Sequence, residues 1–301
     1  FLPRFLSMGI DPVRAVWDSV FMAISVFNNA GFVILPEGLS SHVTDWWMLI
    51  PIILGTTVGA IGFPVIMDVA KNLRTPRRWR LHTKLTLSTY LILAFVGALA
   101  LALTEWSNPA TLGAIDTPSK ILNAMLAGVN SRSSGLSALD VGAMRSQTHF
   151  VQDILMMIGG GSASTAGGVK VTTFAVLVLA VIAEARGDRD IETFGRRIPT
   201  SAVRLAVAVS LLGLALVAVS VVLLLSMTNY SLDIILFETA SAFATVGLST
   251  GITPILPVGA KYVLIFLMFA GRTGSMTVAA ALALRERSRV IRMPEERPII
   301  G

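Results

Sequence analysis

Long apolar segments alternate with short basic segments along the whole chain. Apolar runs cover residues 46–70, 85–103, 205–225 and 261–284. Each run is close to the roughly 20 residues that an α-helix needs to cross the hydrocarbon core of a bilayer. The pattern therefore predicts four membrane-spanning helices. A further apolar helix is predicted from 148 to 185, with a break in its middle.

Basic side chains are concentrated at 71–84, 186–204 and 285–301, between or after these runs. Arginine and lysine are enriched in the cytoplasmic loops of membrane proteins. We therefore expect these three segments to face the cytoplasm. The loops 36–45 and 105–118 are expected on the outer side.

Three predicted helices are too short to span the membrane. They are Val13–Asn29, Ser119–Asn130 and Ser231–Ala244. The predicted orientation requires each of them to enter from the outer side and lead back to it. Such a re-entrant segment is tolerated only where its backbone is buried in protein or lines a watery cavity. The predicted fold class is an all-α polytopic membrane protein, with repeated helix–re-entrant pore loop–helix units around a central pore.

This unit divides the chain into consecutive repeats. Residues 1–70 are predicted to contain the pore loop and second helix of an incomplete repeat. Residues 85–185 are predicted to form a complete repeat whose second helix is broken, and 205–284 another complete repeat. Residues 285–301 are predicted to form a cytoplasmic tail.

A glycine turn follows each short helix. Gly31 and Gly135 lie 104 residues apart, and Gly135 and Gly247 lie 112 apart, which indicates internal repetition. Glycine tolerates positive φ, so it can turn backbone carbonyls toward an axis, where they replace the hydration shell of a potassium ion. An isolated glycine of this kind is more often a helix cap; the recurrence favours an ion filter. The predicted filter residues, whose carbonyls would hold K⁺, are Asn29, Ala30, Gly31, Ser133, Ser134, Gly135, Thr245, Val246 and Gly247.

Composition supports a membrane protein. Of the 301 residues, 54% are hydrophobic and only 14% are charged. The formal net charge of +6 resides in the loops, so topology explains it better than nucleic-acid binding does. The chain has no cysteine, which excludes disulfides and thiolate metal sites.

The break in the helix 148–185 is a run of ten small residues. Backbone without helical partners at membrane depth favours a water-lined cavity, although a plain helix break is the alternative. Arg272, within the last apolar run, is a functional candidate because a charge at that depth costs about 2.5–3.5 kcal/mol on insertion scales. The residues of the break are Gly159, Gly160, Gly161, Ser162, Ala163, Ser164, Thr165, Ala166, Gly167 and Gly168.

Two enzymatic interpretations of this run are weak. A nucleotide-binding loop would place lysine directly after the last glycine, whereas Val169 stands between Gly168 and Lys170. A serine hydrolase needs a base near Ser162 or Ser164, and no histidine falls within a predicted spanning helix. We therefore expect neither catalysis nor a covalent cofactor.

Three motifs together resemble the potassium-translocating subunits of the Trk/Ktr/HKT superfamily, in particular the bacterial KtrB-type subunits. They are Asn28–Phe32, residues 161–170 and Phe243–Leu248. The resemblance implies four helix–loop–helix repeats around one pore. The three turns would belong to the second, third and fourth repeats. The first repeat and the leading helix of the second would be missing here, so that residues 1–301 alone would not conduct.

The resemblance also implies roles and partners. Residues 159–168 would form an intramembrane gate faced by Arg272. The function would be potassium uptake across the plasma membrane, the bacterial inner membrane, by a multi-pass homodimer bound to a cytoplasmic nucleotide-binding regulatory ring and surrounded by lipid. A sodium-permeable or Trk-type relative is the first alternative. A secondary carrier with broken helices is the second.

Overall fold

The structure is a computed structural model that describes residues 1–36 and 38–274. This part of the chain is almost entirely helical. The predicted tail 285–301 and the end of the predicted run 261–284 lie outside the described residues. The helices are α1 Leu2–Ser7, α2 Pro12–Phe27, α3 Trp46–Ile61, α4 Phe63–Lys71, α5 Leu81–Glu105, α6 Thr117–Asn130, α7 Ser146–Met157, α8 Val171–Arg186, α9 Thr200–Met227, α10 Leu232–Ala244 and α11 Val258–Phe269.

The three short helices α2, α6 and α10 form where the sequence predicts them. Asp11 caps α2, because its carboxylate accepts the backbone N–H groups of Val13 and Arg14 at 3.1 and 3.3 Å. Asp116 caps α6 in the same way through the N–H of Ser119, at 3.3 Å. A carboxylate at this position satisfies free N–H groups of the first turn and complements the helix dipole.

Two described helices, α5 and α9, are long and apolar enough to cross a membrane by themselves, with 25 and 28 residues. Both extend beyond the predicted boundaries, since α9 begins at Thr200 within the segment assigned to a cytoplasmic loop. Large apolar side chains on these helices are exposed, as Phe95 and Val222 show at 68% and 67%. Such faces suit contact with lipid rather than with water.

The prediction of one continuous helix over residues 46–70 is wrong. The segment forms α3 and α4, which meet at an angle of 95°, and the pair counts as a third span only if taken together. Gly62 forms the corner with a φ of +91°, a conformation that glycine adopts without strain. Pro64 lies in the first turn of α4, where its missing N–H costs nothing.

The predicted break in the helix 148–185 is present. α7 ends at Met157 and α8 begins at Val171, so the intervening segment is somewhat longer than the small-residue run. Near Gly271 the helix changes its form, because α11 continues into a π-helical turn, Ala270–Gly274. A Cβ atom at Gly271 would overlap the backbone of Phe243, so glycine allows α11 to approach α10 closely.

Three apolar clusters join the short helices to the longer ones. The first contains Met22 of α2, Ile52 of α3 and Leu126 of α6. The second joins α6, α7 and α10 around Met156 and Phe237. The third packs α9, α10 and α11 together; its fully or nearly buried members include Val217, Phe243 and Leu264. The packing buries most of α6 and α10, whereas α2 keeps one exposed apolar face, as Trp17 shows at 62%.

The basic segment 186–204 contains a structure that the sequence analysis did not predict. Strands β1, Ile191–Thr193, and β2, Arg196–Ile198, pair antiparallel. Phe194 and Gly195 connect them with φ values of +50° and +70°. Positive φ at both turn residues is the conformation of a tight hairpin whose twist matches that of the strands.

Candidate ion pathway

The C-terminal ends of α2, α6 and α10 lead directly into the three glycine turns, defined here as residues 29–31, 133–135 and 245–247. The glycines have φ values of +76° at Gly31, +61° at Gly135 and +97° at Gly247. L-residues rarely adopt these values, so glycine is required at each position for conformational reasons. The sequence prediction that the three glycines occupy equivalent, specially shaped turns agrees with this geometry.

The three turns lie side by side. A Cβ atom at Gly31 would overlap the carbonyl oxygen of Ser134. One at Gly135 would lie only 2.7 Å from the carbonyl carbon of Gly247 and 2.8 Å from the nitrogen of Leu248. The Gly135 turn therefore touches the other two. At Gly247, by contrast, a Cβ atom would meet nothing within 4 Å.

Side chains of the short helices hold the chain that follows each turn. Ser25 donates to the carbonyl of Phe32 at 2.8 Å, and Asn130 donates to that of Leu136 at 2.7 Å. Because the three helix C-termini converge here, their partial negative charges are directed toward the same region. This arrangement suits a cation.

Within the three glycine turns, two residues that are not glycine also adopt positive φ. Asn29 and Thr245 both have φ of +53°, and each lies two residues before the glycine of its turn. Ser133, at the matching position of the Gly135 turn, is not among the residues with positive φ. Strained backbone of this kind persists only where the surroundings impose it, and it concentrates at functional sites.

The ten small residues 159–168, called here the glycine-rich break, pack against the corner between α3 and α4. Gly161 N–H donates to the carbonyl of Ala60 at 2.8 Å, and Phe63 N–H donates to that of Ala163 at 3.4 Å. On its other side the break touches the Gly247 turn, since a Cβ atom at Gly167 would overlap the hydroxyl of Thr245. The break thus lies between one glycine turn and the α3–α4 corner.

Thr165 is the best-connected residue of the break. Its hydroxyl accepts from the side-chain amide of Asn29 at 2.5 Å and donates to the carbonyl of Gly59 at 3.1 Å. Its backbone carbonyl accepts a hydrogen bond from Arg272. Asn29 also accepts from the hydroxyl of Ser133 at 3.0 Å. One chain of hydrogen bonds therefore runs from Arg272 through the break to two glycine turns.

The predicted pairing of Arg272 with the glycine-rich break is present, but the arginine side chain is exposed rather than enclosed in the protein. Lys170 donates to the carbonyl of Ala166 at 2.5 Å. Two cations thus bind neighbouring carbonyls of the break. Within residues 1–36 and 38–274, neither of them forms an ion pair with a carboxylate.

The serine hydroxyls of the glycine-rich break contact the hydroxyl of Thr172 and the backbone N–H of Ala166. Ser162 lies 3.1 Å from the hydroxyl of Thr172. His149, the histidine nearest to the break in sequence, contacts the carbonyl of Val141 with its Nε2 at 2.7 Å. In the described part of the chain, no three histidine, aspartate or glutamate side chains come together as a metal site would require.

Sequence reasoning did not predict the burial of two charged residues near the turns. Arg132, immediately before the Gly135 turn, is 0% exposed and places its guanidinium 3.7 Å from the ring centre of Tyr90. Glu238 of α10 is 4% exposed and lies behind the Gly247 turn. Arg132 occurs in a Ser-rich stretch and resembles a loop cation, so only its position directly before a glycine turn could have signalled its burial.

The architecture defines a class, the polytopic α-helical membrane proteins. A family profile described as TrkH, cation transport protein, matches residues 5–291. The chain belongs to this family and is accordingly a membrane protein.

Individual relatives agree with the family assignment. The chain is 40% identical over 286 residues to Ktr system potassium uptake protein B of Bacillus subtilis, covering 95% of this chain and 64% of that protein. It is 33% identical over 308 residues to the potassium/sodium uptake protein NtpJ of Enterococcus hirae, covering 100% of this chain and 66% of that protein. This chain therefore spans just under two thirds of the length of these relatives.

A solved structure shows the same fold. The crystal structure of the potassium transporter TrkH from Vibrio parahaemolyticus matches with a TM-score of 0.72 at 17% sequence identity. The match covers 94% of this chain and 60% of that one. The predicted fold class and the predicted superfamily are both confirmed.

Proposed function

We propose that this protein is the membrane subunit of a potassium uptake system, through which K⁺ passes by way of the glycine turns. The observation that carries the proposal is the convergence of three helix C-termini on three turns, of which the Gly135 turn touches the other two. The relatives named as potassium uptake proteins support the choice of cargo.

In this proposal, the carbonyls of residues 29–31, 133–135 and 245–247 replace the water around K⁺. Carbonyl dipoles bind a cation without adding net charge, and weak, repeated sites let the ion leave again. The close contact of the Gly135 turn with both of its neighbours supports this role, because it restricts the movement of that turn.

The glycine-rich break, together with Arg272, would form the barrier below these turns. The hydrogen bond from Arg272 to Thr165 supports the assignment, as does the packing of Gly167 against Thr245. A cation at this position repels a passing K⁺ by roughly 4 kcal/mol at 4 Å and an effective dielectric constant of 20. Displacing the break would remove both the backbone obstruction and the arginine anchored to it.

Assembly is part of the same proposal. We infer a homodimer in the bacterial plasma membrane that works with a cytoplasmic, nucleotide-binding regulatory ring. The relative from Bacillus subtilis is named as part of a Ktr system, which supports a separate regulatory component. The cytoplasmic segments 71–84 and 186–204 would face that component.

A second cargo, sodium, is favoured by one comparison and one sequence feature. The relative from Enterococcus hirae is named a potassium/sodium uptake protein. Ser133 and Ser134 also stand where the resembled family more commonly has Thr-Ala. A measurement of the preference for K⁺ over Na⁺ distinguishes the two proposals, because both predict the same architecture.

Uptake by the full-length protein tests the proposal. The gene would be expressed with its regulatory subunit in cells that lack their own potassium uptake systems, and K⁺ and Na⁺ influx would be measured. Selective K⁺ influx that needs no stoichiometric co-substrate is expected. Influx that stops when one particular second solute is withdrawn would identify a secondary carrier instead.

A further inference from the structure

The carboxylate of Glu238 binds the chain that leaves the Gly247 turn. One oxygen, Oε1, accepts from the hydroxyl of Ser249 at 2.8 Å and from both the N–H and the hydroxyl of Thr250, at 2.8 and 2.9 Å. The other, Oε2, accepts from the hydroxyl of Thr253 at 2.6 Å. Four hydrogen bonds thus end on one buried side chain.

The other two glycine turns are held differently. Ser25 and Asn130 each contribute one hydrogen bond to a single carbonyl after their turn. Both side chains are neutral. Hydrogen bonds to a charged group are roughly twice as strong as those between neutral groups. The Gly247 turn therefore has the strongest polar support of the three.

The Gly247 turn also has the greatest need for such support. The Gly135 turn is confined by neighbours on both sides. At Gly247, by contrast, a Cβ atom would have no neighbouring atom within 4 Å, so this side of the turn is open. Thr245, in the same turn, has strained backbone with a φ of +53°. Adjacent backbone does not confine this turn on that side, so hydrogen bonds from behind position it. Ser241 accepts from the N–H of Gly247 at 3.2 Å, and Glu238 holds the chain that follows the turn.

We propose that Glu238 is a positioning residue that sets the preference for K⁺ over Na⁺ by fixing the Gly247 turn. The inference rests on the proposed function, because it assumes that this turn contacts the cation. Glu238 would not itself touch the ion. Its effect would pass through residues 249–253, whose displacement moves the preceding carbonyls of Val246 and Gly247.

The test compares Glu238→Ala with Glu238→Gln in the full-length protein. Alanine removes all four hydrogen bonds. Glutamine keeps one carbonyl oxygen that can replace Oε1, and its amide can donate to Thr253, so that geometry is kept while the negative charge is lost. Glu105→Ala is the matched control: Glu105 is also buried and accepts from Asn108, Thr111 and Thr148 and from the N–H of Arg145, but it joins α5 to α7.

We expect Glu238→Ala to lower the K⁺/Na⁺ preference about tenfold or more, the equivalent of losing one or two hydrogen bonds to a charged group. Its KM for K⁺ should rise more than its maximal rate falls. Glu238→Gln should keep the preference within about threefold of wild type, since neutral hydrogen bonds of the same geometry remain. Glu105→Ala should lower the amount of folded protein and leave the preference unchanged.

An unchanged preference in well-expressed Glu238→Ala, or an equal loss in Glu105→Ala, would overturn the inference. A second readout separates it from the proposed function: the difference between the unfolding temperatures of the purified full-length protein in KCl and in NaCl. If the wild type shows no K⁺ uptake, the proposed function fails. The inference then stands only if wild type is stabilised more by K⁺ than by Na⁺ and Glu238→Ala loses this difference.

Discussion

Replacing Gly135 by serine should reduce potassium selectivity more than the same change at Gly247. Both positions have positive φ, where an L-residue is disfavoured by about 1–2 kcal/mol. At Gly135 the new Cβ atom would also overlap the carbonyl oxygen of Val246 and approach the carbonyl carbon of Gly247 to 2.7 Å. Ordinary carbon–carbon contacts are about 3.5–4.0 Å, so the two turns must separate by roughly 1 Å.

The expected size follows from these two effects. Forced expansion of a packed site typically costs about 1–3 kcal/mol in addition to the backbone strain. If the substitution weakens the binding of K⁺ by about 1.4 kcal/mol more than it weakens the binding of Na⁺, the K⁺/Na⁺ preference drops tenfold. Gly247→Ser carries the strain without the overlap, because nothing lies within 4 Å of its Cβ position. We expect its loss of preference to be clearly smaller.

The assay is competition between K⁺ and Na⁺ for uptake into transporter-deficient cells, corrected for the amount of protein in the membrane. Gly187→Ser is the matched control, because Gly187 has a φ of +73° and open space around its Cβ position, but caps α8 away from the turns. Its preference should equal that of wild type. If Gly135→Ser leaves the preference intact at normal expression, or if Gly187→Ser reduces it equally, the assignment of the glycine turns as the filter is wrong.

Three further predictions concern the topology, the barrier and the buried arginine. A single cysteine at Arg78 should be labelled by an impermeant reagent only from the cytoplasm, and one at Ser107 only from outside. Labelling of position 78 from outside would contradict the predicted orientation. Arg272→Ala and a shortened 159–168 should each raise K⁺ flux in the absence of the regulatory subunit. The double variant should raise the flux by less than the product of the two single effects. Unchanged flux in both single variants would refute the proposal that these residues form a barrier. Arg132→Lys keeps the charge but loses the planar stack on the aromatic ring, which is worth about 2 kcal/mol when desolvated. The unfolding temperature should therefore fall by several degrees. An unchanged unfolding temperature would show that the stack contributes little to stability.

Much of the fold could be predicted because it depends on local sequence signals. Hydrophobic length identifies α5 and α9, and glycine identifies the three turns. The corner at Gly62 also had a local signal, since the following Phe63-Pro64 places a proline where a helix would begin. Hydropathy alone does not locate the bend, because the residues before and after it are equally apolar.

The contacts of the site could not be predicted in the same way. Whether Arg132 meets lipid, water or the ring of Tyr90 depends on how α5 packs against α6, and no local pattern specifies this packing. The four hydrogen bonds of Glu238 join residues 11 to 15 positions apart, which come together only after the chain has turned at Gly247. Polar residues of this kind are recognisable once the backbone is known.

The hydrogen bond between Thr165 and Asn29 has a consequence for the response of the protein to its own cargo. The glycine-rich break cannot move away without depriving Asn29 of a partner, and Asn29 in turn binds Ser133 of the neighbouring turn. If the turns bind the cation and the break is the barrier, as proposed, cation occupancy and the position of the break are two linked equilibria. Linkage is reciprocal: if moving the break weakens cation binding by some factor, cation binding opposes that movement by the same factor. External potassium would thus act as an effector as well as a substrate, shifting the resting population of the barrier before any ion crosses it.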